Sequence, residues 1–297
     1  MKNKLAKIKL KGNESFNFRE GWLRKGVRCV EKYPDLFSRK DVIELLGVGS
    51  KMVKSIRFWL LSTGLCEEKI ERNIRRLYLT ENFGKIVNKH DPYFDDLTTL
   101  YFIHFYIVKN EDLCPVWNIF YNQYSGQNFS KADMIESCKE YMNRHMDEGA
   151  SYSESLFEDD CVSVFKMYLP SSGSEDPEES LGCPLSELDL LQKSIEKKNT
   201  FVKMAPARDN LDLLAIFYVI MMNIESGKNA ISINSLLNGE NNIGRVFNLS
   251  RFLLNEYLDQ LRAAGYITIN RTAGLDMIYI VKSLQPKEIL EMYYTRV

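Results

Sequence analysis

The stretch SRKDVIELLGVGSKMVKSIRFWLLSTG, residues 38–64, holds two short amphipathic runs separated by a glycine-flanked turn. Ser38 is expected to N-cap a helix whose apolar positions are Val42, Leu45 and Leu46, with Gly47 as its stop. Val48 and Gly49 make the turn. Ser50 is expected to cap a second helix, with Val53, Ile56 and Leu60 on one face and Gly64 at its end. On the opposite face Lys51, Lys54, Ser55 and Phe58 follow helical spacing, where a recognition helix presents groove-reading side chains, and Arg57 adds a further cation. Two strand-like stretches follow, 65–67 and 77–79, around a tip carrying Lys69, Arg72, Arg75 and Arg76. Helix, turn, helix and cationic hairpin together predict a winged helix-turn-helix, its wing lying along phosphate. The DNA-binding residues expected from this pattern are Lys51, Lys54, Ser55, Arg57, Lys69, Arg72, Arg75 and Arg76.

Charge distribution supports the same reading. The 297 residues have a net charge of -1, yet residues 1–80 hold 19 Lys and Arg against 9 Asp and Glu. The first quarter is thus about +10 and the remainder about -11 by the same count, a separation that suits phosphate because each cation releases condensed counterions. An ordinary solvated surface, or an intramolecular match to the acidic remainder, is the competing explanation.

The rest of the chain reads as mainly helical. Aromatic-rich helices are expected at 100–108, 116–124, 131–145 and 154–168, with Tyr101, Phe102, Phe105, Trp117, Phe120 and Tyr121 in the core. An acidic, proline-broken linker falls near 170–183. Beyond it the first pattern partly recurs: an apolar helix at 211–224, Ser232 and Ser250 as caps, Gly265 as a stop, and two strands around the turn at 271–274. The expected domains are therefore a basic winged helix at 1–90, a helical middle at 91–200, and a winged-helix-like module with small β wings at 201–297. In the last module Arg251, Asn255 and Arg262 stand beside Glu256, Asp259 and Asp276, which favours dimerisation or partner docking over a second DNA reader. No apolar run is long enough to span a bilayer, no signal-peptide core follows the basic start, and six scattered cysteines lack any C-x-x-C pair. A cytoplasmic protein with no membrane contact is expected. The absence of a G-x-x-x-x-G-K-[ST] loop argues against an ATPase.

The stretch KGNESF at 11–16, with Arg19, Trp22, Leu23 and Lys25, resembles the F-x-G-H-E-[ST]-F-x-x-R-x-x-W-L-x-K opening of a bacterial family, domain of unknown function 4007. The likeness continues at 46–60, 63–65, in DPYFDD at 91–96, CPLSEL at 183–188 and RTAGL at 271–275, and so covers nearly the whole chain. The resemblance implies a role in DNA phosphorothioation and phage defence, with a cysteine desulfurase, an ATPase and a sulfurtransferase-like protein as partners beside double-stranded DNA. In Ssp-type systems the member of this family is the DNA-nicking component. Asn13 departs from the family's histidine. If that histidine acts as base or ligand in relatives, this chain is expected to nick poorly or not at all; a non-catalytic DNA-binding adaptor or transcription regulator is the alternative reading.

Phosphodiester hydrolysis needs charge stabilisation and usually a divalent ion held by carboxylates, here Mg²⁺ or Mn²⁺. In the opening motif Glu14 can hold a metal or activate water and Arg19 can clamp a phosphate oxygen, or the two can form a local ion pair. Asp91 and Asp95, with Asp96, can add metal ligands, although such a group more commonly caps the following helix.

Overall fold

Left-handed glycines set the boundaries of the first helices. In the computed structural model, which describes residues 9–147, 150–171, 182–272 and 275–296, Gly21 (φ 77°) precedes α1 (Trp22–Lys32) and Gly47 (φ 63°) closes α2 (Val42–Leu46). Gly64 (φ 70°) follows α3 (Ser50–Ser62). Residues with a Cβ are strained at such angles, so glycine ends the helix where the core requires the chain to turn. The expected serine caps do not form. Ser38 ends a 3-10 turn, Leu36–Ser38, and its hydroxyl donates to the Arg75 carbonyl, while Ser50 is already helical behind Gly49. Gly26 allows α1 to approach α3 closely, because a Cβ there would lie 2.8 Å from Leu60 Cδ1.

Strands β1 (Cys66–Glu71) and β2 (Ile74–Leu79) pair antiparallel, from Cys66 opposite Leu79 to Glu71 opposite Ile74. Arg72 (φ 51°) and Asn73 (φ 63°) form the two-residue turn, with the positive angles that match strand twist. The strands are longer than the sequence indicated, so Lys69, Arg75 and Arg76 lie within the ladder and Arg72 stands at the tip.

Helices α4 (Gly84–His90), α5 (Leu97–Lys109), α6 (Pro115–Asn122), α7 (Lys131–His145) and α8 (Glu154–Tyr168) follow. Side-chain caps explain three of the starts. Asp96 accepts from Thr98 N, Ser130 and Asp133 form a reciprocal capping box, and Ser153 accepts from Leu156 N. Short strands β3 (Asn128–Phe129), β4 (Leu191–Lys193) and β5 (Phe201–Lys203) make a sheet in the order β3-β5-β4, too short to be evident from the sequence. All six aromatics assigned to packing are buried, and His104 is buried with Nδ1 2.7 Å from the Tyr168 hydroxyl. Trp59 of α3 meets Phe18, Phe58 and Trp117 edge-on at centroid distances of 5.3, 4.9 and 5.7 Å. Each such pair contributes about 0.5–1.5 kcal/mol beyond area burial. Segments 1–90 and 91–200, expected as separate modules, thus share a core within one compact unit, Met1–Lys203.

The second unit, Met204–Val297, contains α9 (Leu213–Asn223), β6 (Ala230–Ser232), α10 (Ile233–Asn238), α11 (Ile243–Val246), α12 (Arg251–Ala263), β7 (Ile267–Thr272), β8 (Leu275–Ile280) and α13 (Pro286–Thr295). Here the expected caps do form: Ser232 accepts from Ser235 N and Ser250 from Leu253 N. Its sheet runs β6-β8-β7, all antiparallel. The protein is mainly helical with small antiparallel sheets. Most of the expected acidic linker and residues 273–274 of the expected turn lie outside the described residues. Among the described residues no helix is long and apolar enough to cross a membrane.

Candidate nucleic-acid interface

Residues 11–17 form a strap between α8 and α3. Lys11 N donates to Asp160 Oδ2 at 2.9 Å, Lys11 Nζ pairs with Asp159 at 2.6 Å, and Asn17 Nδ2 donates to the Ser163 carbonyl at 3.0 Å. On the other side the Phe16 carbonyl accepts from Ser55 Oγ at 2.9 Å and Trp59 Nε1 at 2.8 Å. Gly12 is required where the strap crosses Phe58, since a Cβ there would lie 2.5 Å from the ring. Lys11, Glu14 and Ser15 all take positive φ, and α1 begins only at Trp22. Glu14 and Arg19 therefore share no helical face. Glu14 lies 3.5 Å from Lys54 Nζ, and the Arg19 guanidinium sits over Trp22 at 5.7 Å. Asn13 is 1% exposed, donating to Ser163 Oγ and accepting from Ser15 N, so the position filled by histidine in the resembling family is a buried strap anchor here.

The strap also corrects the expected reading face of α3. Ser55 is fully buried with its hydroxyl committed to Phe16, and Phe58 is buried beneath Gly12. Neither side chain faces solvent, because residues 12–18 cover that side of the helix. Lys51 and Lys54 do face solvent. The hairpin is less cationic in effect than its composition suggests. Glu68 pairs with Arg57 and lies 3.8 Å from Arg75, Glu71 holds Arg76 at 2.6 Å, and Glu67 holds Lys69 at 2.8 Å. The exposed Lys69–Glu67 pair contributes about 0–1 kcal/mol and opens readily, whereas Arg57–Glu68 is partly buried; all of these pairs weaken the local field. Lys51 and Arg72 make no ion pair with the described residues.

Two cations outside the expected set lie on α1, and one of them, Lys25, lines a groove beside α3. Lys25 and Arg28 lie on the solvent side of α1, and with Lys32 they surround Cys29. Their i, i+3, i+7 spacing is visible in the sequence as a cationic helix face. A groove of about 680 Å³ separates α1 from the α2–α3 turn, lined by Arg19, Glu20, Lys25, Ile43, Gly49 and Met52 among others.

Arg19 and Glu20 also line a smaller pocket of about 200 Å³, where three distant stretches meet: Phe18–Arg24, Tyr93–Asp95, and Pro184 with Glu187. Asp91 organises its wall. That buried carboxylate accepts from Asp95 N at 3.0 Å and Asp96 N at 3.2 Å, and Asp96 in turn caps α5. The tight loop holds Phe94 at φ 62°, a conformation costing a bulky residue of order 1–3 kcal/mol. Burial pushes the Asp91 carboxyl above the ordinary carboxylate range, opposed by its hydrogen bonds. The Arg24 guanidinium stacks on the Tyr93 ring at 3.8 Å. Arg24, Tyr93 and Glu187 carry no signal of this pocket in the sequence, because only folding brings residues 24, 93 and 187 together.

Glu14, Asp91 and Asp95 do not assemble a metal centre by themselves. Among the described residues no group of three or more His, Cys, Asp or Glu side chains could hold an ion. Glu14 lies against Lys54, and both Asp91 oxygens are taken by backbone amides. This donor set does not fit a protein-only Mg²⁺ or Mn²⁺ site.

The corresponding face of the second unit is internally neutralised. Arg251 pairs with Asp276 at 3.1 Å, Arg208 with Glu256 at 3.0 Å and Arg262 with Asp259 at 3.0 Å, while Arg271 donates to Asn255. Of the six cysteines only Cys29 is partly exposed. Burial raises the other thiols, Cys66 and Cys138 to about 12, so they stay protonated and weakly nucleophilic at neutral pH.

The geometry is that of a mainly helical, two-unit protein whose first unit bears a cationic groove beside a small mixed-charge pocket. The chain belongs to the DUF4007 family, described as "Protein of unknown function (DUF4007)", whose model matches residues 10–294. Two solved structures share its fold. "Magnesium ion-bound SspB crystal structure" superposes with a TM-score of 0.85 and "SspB crystal structure" with 0.84. Each is 22% identical, covering 98% of this chain and 89% of the other. No curated protein matches the sequence.

Proposed function

We propose that the protein binds double-stranded DNA as a nickase-like subunit of a DNA phosphorothioation and phage-defence system. The observation that carries the reading is the groove between α1 and the α2–α3 turn, with Arg19 and Lys25 on its wall and solvent-facing Lys51 and Lys54 on α3. In this reading α2, α3 and the β1–β2 hairpin act as a winged helix-turn-helix. Lys51 and Lys54 contact the duplex, Arg72 reaches phosphate from the hairpin tip, and Arg57, Lys69, Arg75 and Arg76 exchange glutamate for phosphate partners. Shared fold with SspB and membership of the same family as the resemblance indicated support the phosphorothioation setting. The desulfurase, ATPase and sulfurtransferase-like proteins are then its partners, and the neutralised face of the second unit suits docking to one of them or to a second copy.

Charge reversal, Lys51→Glu with Lys54→Glu, should weaken duplex binding and lower the salt dependence of affinity, by roughly 1 in log–log slope for each phosphate that the variant no longer neutralises. Unchanged affinity and slope would remove α3 as the contact surface. Cleavage is tested with supercoiled plasmid in Mg²⁺, in Mn²⁺ and in chelator, following conversion to open circle, with Glu14→Ala beside the wild type. A second reading, a DNA-binding adaptor or regulator without cleavage, is favoured by the buried Asn13 and by the lack of convergence among Glu14, Asp91 and Asp95. Retained binding without open-circle product selects it.

A further inference from the structure

The groove and the small pocket meet at Arg19 and Glu20, which line both, so one continuous surface runs from the start of α3 to the Arg24–Tyr93 stack. Tyr93 is 54% exposed with the Arg24 guanidinium over its ring, and the adjoining Phe94 is held in a left-handed conformation by the Asp91 turn. The pocket's charges are divided by position. Arg19 and Glu20 stand at the shared edge, whereas Asp95 and Glu187 line the pocket and not the groove, and both are exposed to solvent there. Carboxylates repel phosphate but accept from the exocyclic amino groups of cytosine, adenine and guanine. An aromatic–guanidinium platform stacks any base. The volume accommodates one base and excludes a duplex.

We propose that this pocket takes a single unpaired nucleotide from DNA lying in the groove, base first. The base stacks against Arg24 and Tyr93, its amino group donates to Asp95 or Glu187, and its phosphate stays at Arg19 and Lys25. The assignment rests on the DNA-binding reading of the groove and adds to it a substrate feature, a locally opened strand, that the groove alone does not require.

The test uses the full-length protein and fluorescein-labelled duplexes that are fully paired or carry one unpaired deoxycytidine, read by anisotropy. Wild type should bind the bulged duplex roughly 5- to 150-fold more tightly, the span expected for stacking one base. Tyr93→Ala should abolish that preference while leaving affinity for the paired duplex unchanged, and Tyr93→Phe should restore it. A bulged thymidine, which lacks an amino group, should gain less than deoxycytidine. The proposal is overturned if wild type shows no preference for the bulge, or if Tyr93→Ala retains it. Equal gain for the two bases would overturn the role given to Asp95 and Glu187. Absence of binding to both duplexes would instead refute the DNA-binding reading itself, and this proposal with it; normal paired-duplex binding that depends on Lys51 and Lys54, without a bulge preference, refutes the pocket assignment alone.

Discussion

Replacing Asp160 with asparagine should remove a defined part of the protein's pH dependence of stability. Asp160 is 2% exposed, accepts the Lys11 amide through Oδ2, and has no partner for Oδ1 among the described residues. Burial, with a smaller push from Asp159, raises its carboxyl from the ordinary 3.8 to about 6, against the lowering effect of the Lys11 amide and ammonium. The folded state therefore binds this proton more tightly than the unfolded state. The associated stability is complete below pH 3.8 and is lost as pH rises through about 6. A difference of about 2 pH units at about 1.4 kcal/mol each gives a loss of roughly 3 kcal/mol across that window. Asparagine can keep the Lys11 bond but has no charge to bury, so its stability curve should lack this decline. Urea unfolding from pH 4 to pH 8, followed by tryptophan fluorescence, reads the effect in the right place, since Trp22, Trp59 and Trp117 all belong to the first unit. Any constant packing cost of the amide cancels when the slopes are compared. Parallel wild-type and variant curves would refute the argument that Asp160 is a destabilised buried carboxylate.

The remaining predictions concern the loop and the thiols. Asp91→Ala should destabilise the first unit by about 1–3 kcal/mol in metal-free buffer, because the Asp95 and Asp96 amides lose their acceptor; a loss seen only with divalent metal present would return Asp91 to a ligand role. In the native protein a thiol reagent at pH 8 should modify Cys29 first and slowly, its thiol being raised by partial burial, and reach all six cysteines only after unfolding. Rapid native modification of Cys183 would contradict its burial.

Local chemistry made much of the fold legible. Helices 131–145 and 154–168 were legible as aromatic-rich helical runs, and their bounds agree with the structure. The glycines at 47, 64 and 265 marked true left-handed stops. Short-range signals failed where a distant partner intervened. Ser38 has the pattern of a cap but donates to Arg75, and Ser55 has the spacing of a solvent-facing residue but is covered where residues 12–18 cross α3. Helical spacing places a side chain on a face; it does not reveal what later covers that face.

The site divides along the same line. Sequence alone established a strongly basic first quarter, the cationic start of α3 and the charged hairpin, because charge and periodicity are local properties of a chain. Only tertiary structure paired the hairpin cations with Glu67, Glu68 and Glu71, gave both Asp91 oxygens to backbone amides, and brought Arg24, Tyr93 and Glu187 around one pocket. The pocket joins residues far apart in sequence, which no local pattern encodes; the hairpin pairs and the Asp91 turn join near neighbours, but strand register and turn geometry decide which partner each side chain takes, and charge and spacing alone do not.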